Sequence, residues 1–172
     1  TTLFRSTEAL TFINDNIKTA DEALQGARDI IAEMVNEDAQ VRAKMRRLFE
    51  DTATLQSKVL ADKETEGIKY KDYFEFSEPV AKIPSHRILA VLRGFLEGFL
   101  RMSIAPAEEA ALELLEQQYV KGMTASGDHI KKAIKDAYRR LLQPSLETEF
   151  RTALKQKADE DAINVFAENL RQ

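Results

Sequence analysis

Few residues in this sequence carry the side chains that catalysis or metal binding requires. The 172 residues include no cysteine and only two histidines, His86 and His129. Zinc sites draw mainly on these two residue types, so a metal site is not expected. Ser85 directly precedes His86, and neighbours in sequence do not place a hydroxyl against an imidazole for nucleophilic catalysis. No Walker loop or dinucleotide fingerprint is present either, so we expect neither an enzyme nor a cofactor.

Basic residues form a second group of functional candidates. The formal net charge is −4, so any nucleic-acid contact must come from a local patch. The best patch is a cluster on one predicted helix: Arg42, Lys44, Arg46 and Arg47. Lys and Arg that contact phosphates supply most non-specific nucleic-acid affinity, which makes this cluster a candidate binding site. A solvated helix face is the alternative, and the sequence leaves both open.

Aromatic residues concentrate in one short stretch. Tyr70, Tyr73 and Phe74 have the spacing i, i+3, i+4, which places them on one face of a helix. The pattern predicts a helix over residues 64–75 with Tyr73 and Phe74 largely buried and Tyr70 at least partly buried. The alternative is an exposed platform on which nucleic-acid bases stack, and a helical stripe argues against it.

Two prolines bracket the segment that follows. Pro79 and Pro84 favour extended backbone before them, which predicts an ordered loop over Ser77–Ile83. A helix should begin at Pro84, with Ser85 helping to cap it. Its apolar residues are Ile88, Leu89, Val91 and Leu92, and its projecting residues are His86, Arg87 and Arg93. We expect a hydrogen-bonded structural role for His86, and partners within the domain for Glu78 and Arg87, because unpaired buried charges are costly.

Gly94 leaves two interpretations of where this helix ends. Glycine reaches the left-handed conformation at low cost, so Gly94 is predicted to terminate the helix before an extended run at Phe99–Ile104. In the alternative, the helix continues and Gly94 and Gly98 form a notch for close packing.

The remaining sequence has the pattern of amphipathic helices. Ser6 or Thr7 can cap a first short helix, and Thr19 and Glu22 form a capping box for the next. That helix has its predicted inward positions at Ala20, Ala23, Leu24, Ala27, Ile30, Ile31, Met34 and Val35. Asn36 is the predicted cap of a third helix, whose apolar positions are Val41, Met45, Leu48 and Phe49.

The second half continues this pattern. Leu55–Leu60 alternates as a short strand or linker, and it can pair with Phe99–Ile104. A helix should begin at Pro106 and continue to Gly122, and Gly122–Gly127 is the predicted loop. A long helix should then run from Asp128 until Pro144 breaks or kinks it. The apolar residues of the last two predicted helices are Leu146, Phe150 and Leu154, then Ile163, Val165, Phe166 and Leu170.

The predicted fold class is therefore all-α: mainly helical, with one or two short strands, in an irregular multi-helix scaffold. Residues 1–172 are treated as one helical region, with a subdivision into 1–104 and 105–172 as the alternative. No apolar run approaches the ~20 residues that span a bilayer, and no signal peptide is visible. We expect a cytoplasmic protein that does not enter a membrane.

The stretch from Lys69 to Leu100, KYKDYFEFSEPVAKIPSHRILAVLRGFLEGFL, resembles the Tex family of bacterial transcription accessory proteins. The matching positions are Tyr70, Asp72, Tyr73, Phe74, Glu78, Pro79, Ile83, Pro84, Ser85, His86, Arg87, Leu89, Ala90, Arg93, Gly94, Glu97, Gly98 and Leu100. Segments at 22–33, 141–151 and 161–172 fit as well, so the resemblance covers nearly the whole chain. It departs at Phe95 and Leu96, where family members usually carry polar or charged residues.

The resemblance implies the N-terminal helical region that precedes a resolvase-like domain, and hence a fragment of a larger multidomain protein. Helix-hairpin-helix and OB-fold domains would follow and carry most nucleic-acid contacts. Our main hypothesis is a scaffold that positions these downstream domains and that meets nucleic acid, and possible transcription-machinery partners, mainly through them. A self-contained helical protein-interaction module is the alternative.

Overall fold

The computed structural model describes residues 19–120 and 127–171. The chain forms two compact units, each built from two stretches that are distant in sequence. Unit 1 comprises Thr1–Met45 and Glu109–Pro144, and unit 2 comprises Arg46–Glu108 and Ser145–Gln172. These two units differ from the alternative subdivision into residues 1–104 and 105–172, and that subdivision stays a prediction. The predicted first helix at Ser6 or Thr7 lies outside the described residues, as does most of the predicted loop at 122–127.

Helices dominate the described residues, which confirms the predicted class. The α-helices are α1 (Ala20–Glu37), α2 (Ala39–Thr52), α3 (Ser85–Leu96), α4 (Glu108–Tyr119), α5 (Gly127–Ala137) and α6 (Gln143–Leu170). A 3₁₀ helix spans Ile68–Tyr73, and a π-helical turn spans Tyr138–Leu142. The strands are β1 (Thr54–Val59), β2 (Glu75–Pro79) and β3 (Leu100–Ala105), one more than the sequence suggested.

Helix α1 begins at the predicted capping box. The Thr19 hydroxyl accepts from the Glu22 amide at 3.1 Å, and the Glu22 carboxylate accepts from the Thr19 amide at 3.2 Å. The inward face is narrower than predicted: Ala32 and Val35 are buried, whereas Ile30 and Met34 are 61% and 65% exposed. Apolar residues cover much of this helix, and only the side that packs on α5 is buried.

Helix α2 is capped by Asp38, so the prediction of Asn36 was wrong. One oxygen of the Asp38 side chain accepts from the amides of Gln40 and Val41 at 2.9 and 3.1 Å. Its other oxygen accepts from the Tyr119 hydroxyl at 2.8 Å, and this hydrogen bond is the main cause that lowers the pKa of Asp38. Along α2, Val41, Met45 and Phe49 are buried as predicted.

Pro144 does not break the helical path. The chain passes from α5 through the π turn at Tyr138–Leu142 into α6, and Pro144 is the second residue of α6. A proline ring clashes with the carbonyl four residues earlier and offers it no amide hydrogen. A π turn relieves such a conflict locally by widening the helix, so the helix continues. The two helices predicted after Pro144 are accordingly one, α6.

The three strands form an antiparallel sheet in the order β2-β1-β3. Leu55 of β1 lies opposite Ile104 of β3 and opposite Glu78 of β2, which confirms the predicted pairing of the first and last strands. Leu55, Met102 and Ile104 are buried on one face. Strand β2 includes Ser77 and Pro79, so the predicted loop over Ser77–Ile83 was wrong in its first half.

The aromatic stretch is not the predicted helix over 64–75. It forms the 3₁₀ helix, and β2 then begins at Glu75 because the Val59 amide donates to the Phe74 carbonyl at 3.0 Å. Tyr70 is the buried ring, at 6% exposure, while Tyr73 and Phe74 are only half-buried. The predicted order of burial was therefore reversed.

Candidate functional site

The motif between the two prolines joins β2 to α3 in unit 2. The amides of Lys82 and Ile83 donate to the Pro79 carbonyl at 3.0 and 3.1 Å, which forms a tight turn after the strand. Pro84 is the N-cap of α3, with extended backbone at φ −68° and ψ 144°, and the helix begins one residue later than predicted, at Ser85. Ile83 is buried beneath this turn.

Arg87 and Glu78 pair with each other. Nη1 of Arg87 donates to Oε1 of Glu78, with the two side chains 42% and 28% exposed. The pair connects the first turn of α3 to the edge strand β2. The expectation that both side chains have partners within the domain is confirmed, although the pair is part-exposed and its stabilising effect is correspondingly modest.

Ser85 contacts a residue far along the chain. Its hydroxyl donates to Oδ2 of Asp161 in α6, which places a carboxylate beside the N-terminus of α3. A negative charge at that end is favourable because the helix dipole is positive there. Ser85 therefore anchors α6 and does not cap its own helix through its side chain. A further contact between these helices places the Arg151 guanidinium 4.9 Å from the centre of the Phe95 ring.

Gly94 lies inside α3 and is buried, so the prediction that it ends the helix was wrong. A Cβ built on Gly94 would lie 2.5 Å from Cδ1 of Leu100 and 3.2 Å from Cδ1 of Tyr70. The close-packing alternative is correct for this glycine. Gly98 has the positive φ of 77° and open space around it, so Gly98 supplies the left-handed residue after the helix.

Glu97, at the C-terminal end of α3, forms ion pairs with two basic side chains. Lys69 Nζ lies 2.5 Å from Oε2 of Glu97, and Arg93 Nε lies 3.0 Å from Oε1. These hydrogen bonds, with Lys69 the larger cause, lower the pKa of Glu97 to about 2. Lys69 also lies 5.0 Å from the centre of the Tyr70 ring. Burial raises the pKa of Tyr70, and the Glu97 carboxylate raises it further.

A shallow groove of about 410 Å³ borders this cluster. Its lining consists of Lys69, Tyr70, His86, Leu89, Ala90 and Arg93. His86 is exposed, and its expected hydrogen-bonded structural role stays a prediction. Lys69 and Arg93 give the groove a positive charge, but both side chains are already paired with the Glu97 carboxylate.

The four basic residues predicted as a nucleic-acid patch are largely engaged by acceptors. In unit 1, Arg42 donates to Asn36 Oδ1 at 3.2 Å and Lys44 to Gln118 at 2.8 Å. In unit 2, Arg46 forms a bidentate pair with Glu149 at 2.7 and 3.3 Å. Arg47 is exposed. Their role in nucleic-acid binding stays a prediction.

The family comparison gives the decisive observation on identity. The family model described as Tex central region-like matches residues 2–166.

The chain belongs to this Tex family.

Curated relatives of the Tex region agree with this assignment. The transcriptional accessory protein Tex of Neisseria gonorrhoeae is 38% identical over 166 residues, covering 93% of this chain and 22% of the relative. Protein tex of Bordetella pertussis is 32% identical over 170 residues, covering 91% and 22%. The human S1 RNA-binding domain-containing protein 1 is 25% identical over 179 residues, covering 95% and 18%. The chain thus spans about a fifth of the length of the curated relatives it matches.

Sequence reasoning missed two long-range partners of residues in this Tex region. Asp161 lies 76 positions from Ser85, and Glu149 lies 103 positions from Arg46. No local pattern marks either residue, because each is one of several carboxylates along α6. The sequence did indicate the ion pair between Arg93 and Glu97, since Glu97 lies four residues after Arg93 on one helix face.

Neither a metal nor a membrane segment is indicated in the described part of this Tex region. Within residues 19–120 and 127–171, no three His, Cys, Asp or Glu side chains are grouped closely enough to hold a metal ion. The same residues include no helix with the length and apolar character needed to cross a bilayer.

Proposed function

We propose that this chain is a helical scaffold within a longer Tex-like transcription accessory protein, where it positions nucleic-acid-binding domains located elsewhere in the polypeptide. Nucleic acid and the transcription machinery would be reached mainly through those domains, in the cytoplasm. The names of the relatives support the transcription and RNA setting, since they include transcriptional accessory proteins and an S1 RNA-binding domain-containing protein.

One observation carries the scaffold role. The side chains of the motif that look most suited to binding form internal contacts instead. Arg87 pairs with Glu78, Ser85 with Asp161, and the Tyr70 ring packs beside Gly94. A ligand would have to break these contacts to use the same groups. Residues that link a sheet, a helix and a distant helix favour a role in holding geometry.

The proposal includes no catalytic step in this region. The side chains of the groove beside α3 offer one histidine, two cations and one tyrosine, without a nucleophile held by a base. A steady-state screen for hydrolysis of nucleic acids and nucleotides by the purified chain would test this, and turnover abolished by His86→Ala would contradict it.

We expect the chain by itself to bind nucleic acid weakly. The net charge is −4, and Arg46 is already neutralised by Glu149. Non-specific binders with several phosphate contacts typically have a Kd of roughly 10⁻⁴–10⁻⁶ M at physiological salt. The test titrates labelled single-stranded RNA and duplex DNA with the 172-residue chain at two salt concentrations, beside the longer protein.

The variant Arg42→Glu/Arg46→Glu tests the patch, and Lys155→Glu/Lys157→Glu is its charge-matched control on α6. The scaffold role predicts weak binding by every form of the short chain and tighter binding by the longer protein. Sub-micromolar binding by the short chain, lost in the first variant and kept in the control, would instead make this region a nucleic-acid-binding module.

The second candidate is a self-contained protein-interaction module. The observation that favours it is the exposed apolar side of α6 at Ile163, Phe166 and Leu170. Exposed apolar patches commonly mark surfaces that another protein surface covers. Identification of the surface that covers this side of α6 would distinguish the scaffold from the interaction module.

A further inference from the structure

One face of the sheet in unit 2 is polar and open to solvent. It carries alternate residues of the three strands: Thr54, Gln56 and Lys58 of β1, Arg101, Ser103 and Ala105 of β3, and Glu75, Ser77 and Pro79 of β2. All nine are exposed or half-buried. An antiparallel sheet commonly has one solvated face, so the feature that needs an explanation is the arrangement of charges on it.

Two cations stand directly opposite each other on this face. Lys58 of β1 and Arg101 of β3 are partners in the antiparallel register, and both are exposed. Side chains at such positions have Cβ atoms about 4.5–5.5 Å apart, and like charges there are destabilising. Among the residues that the structure describes, neither cation forms an ion pair. The two charges therefore repel each other without a bound counter-charge.

Glu75 is the acidic residue of this face, and it lies on the far side of Lys58 from Arg101. It is the β2 partner of Lys58, and β1 separates it from β3. It lines a separate groove of about 320 Å³ between β1 and β2. The positive charge of the face is therefore concentrated on the β3 side.

A groove of about 310 Å³ lies between β1 and β3 beside the two cations. Its lining includes Lys58, Arg101, Gln56 and Ser103, and it includes no carboxylate. Gln56 and Ser103 are also opposite each other in the register. The Gln56 amide donates to the Thr54 hydroxyl at 3.4 Å and has a second hydrogen to donate, and the Ser103 hydroxyl is a further donor. The groove thus offers two cations and two uncharged donors to a small anion.

These donors favour a phosphate dianion over a carboxylate. A guanidinium binds two oxygens of an anion through its planar fork, whereas an ammonium is a compact point charge. A carboxylate has two oxygens, and the fork of Arg101 would use both. A terminal phosphate has three oxygens and nearly two negative charges, so it can accept from Arg101 and also from Lys58. Its charge also offsets the repulsion between the two side chains.

We propose that Lys58 and Arg101 bind a phosphate dianion in the groove between β1 and β3, with Gln56 and Ser103 as additional donors. The dianion is free phosphate or the terminal phosphate of a nucleic-acid strand, which present the same oxygens. Because both cations are exposed, we expect a weak site with a Kd on the order of 1 mM. The site depends on the sheet and not on the scaffold role, so its failure would leave the proposed function unchanged.

A titration with inorganic phosphate tests the site. Backbone amide NMR shifts of the 172-residue chain are followed as sodium phosphate replaces sodium chloride at constant ionic strength. The pH is about 8, where a terminal phosphate is a dianion. We expect saturable shifts at Gln56, Lys58, Arg101 and Ser103. Shifts that do not saturate, or that are equally large around every exposed lysine, would overturn the proposal.

Single substitutions separate a site from general charge attraction. Lys58→Gln and Arg101→Gln should each weaken the Kd for phosphate by about tenfold or more, because each removes a charge-assisted hydrogen bond. Glu75→Gln should tighten binding, because it removes the carboxylate opposite Lys58. Lys157→Gln is the control, since Lys157 is an exposed lysine of α6 outside the groove. A loss of affinity in Lys157→Gln equal to that in Lys58→Gln would contradict the site.

Thermal unfolding tests the repulsion independently. In chloride, Arg101→Gln should raise the Tm more when Lys58 is present than in the Lys58→Gln background, because it relieves the contact between like charges. In saturating phosphate this difference should change sign, since the bound anion stabilises the folded protein through both cations. A coupling of the same sign in both buffers would rule the site out.

Oligonucleotides distinguish the two sources of the dianion. One short single-stranded RNA is titrated in its 5′-phosphate and 5′-hydroxyl forms against the unchanged chain and Arg101→Gln. Tighter binding of the 5′-phosphate form, lost in the variant, assigns the site to a nucleic-acid terminus. Equal binding of both forms, with the inorganic phosphate response retained, assigns it to free phosphate. No response to either source would overturn the proposal.

Discussion

Gly94 in α3 and Leu100 in β3 lie so close that a single added carbon would collide: a Cβ on Gly94 falls 2.5 Å from Cδ1 and 2.9 Å from Cγ of Leu100. Leu100 is 1% exposed, so its side chain has little room to move. This contact explains why a glycine stands inside a helix, where it is otherwise unfavourable. It also brings the end of α3 against the sheet that follows.

Gly94→Ala should therefore destabilise the protein. Overpacking a core typically costs about 1–3 kcal/mol, which exceeds the ~1 kcal/mol that alanine gains over glycine in a helix. Gly26→Ala is the matched control, because Gly26 is also helical and a Cβ there meets nothing within 4 Å. We expect the control to stabilise by roughly 0.5–1 kcal/mol. Urea unfolding measures both, and changes of the same sign would contradict the packing argument.

Tyr70 should contribute more to stability than Phe74. Tyr70 is 6% exposed, and removal of a buried aromatic side chain costs about 3–5 kcal/mol. Phe74 is half-buried, so we expect Phe74→Ala to cost about half as much as Tyr70→Ala. Free energies of unfolding from denaturant titration give the comparison. A larger loss of unfolding free energy for Phe74→Ala than for Tyr70→Ala would support the sequence-based expectation that Phe74 is the more buried ring.

The Arg87 and Glu78 pair should show a small but measurable coupling. Both side chains are partly exposed, at 42% and 28%, and part-exposed ion pairs typically contribute about 0.2–1 kcal/mol. A double-mutant cycle with Arg87→Ala and Glu78→Ala measures the coupling, which should shrink in high salt. A coupling energy of zero at low salt would mean that the motif orders these residues for another purpose.

Glu97 should titrate far below an ordinary glutamate. Hydrogen bonds from Lys69 first and Arg93 second lower its pKa from 4.5 to about 2. A carboxylate whose pKa is lowered by folding stabilises the protein above its unfolded pKa near 4.5. That contribution is lost as the pH falls from there toward about 2. The Glu97 side-chain carboxyl carbon, followed by NMR during an acid titration, reports the value directly.

Lys69→Met should raise the pKa of Glu97 toward 4.5, because it removes the largest of the causes that lower it. Lys63→Met is the control, since Lys63 pairs with Glu66 at 2.7 Å and not with Glu97. An unchanged Glu97 titration in Lys69→Met would contradict the assignment of Lys69 as the main cause and leave Arg93 and Tyr70.

The sequence by itself determined the features that depend on neighbouring residues. The capping box at Thr19 and Glu22, the buried series Val41, Met45 and Phe49, and the alternation of β1 follow from local spacing. The motif around Pro84 was also sufficient to identify the family. These signals are strong because side-chain periodicity and capping bonds act within about one to three helical turns.

Tertiary structure decided those features for which the local conformational preferences of the sequence were nearly equal. Helix propensities differ by no more than about 1 kcal/mol for most residues, so packing readily outweighs them. Gly94 could end a helix or admit a neighbour, and the buried Leu100 side chain decided for the second. The aromatic stretch had helical spacing, but pairing of β2 with β1 drew Glu75 into the sheet. Ser85 found Asp161 across 76 positions, and only the folded chain brings that hydroxyl and carboxylate together.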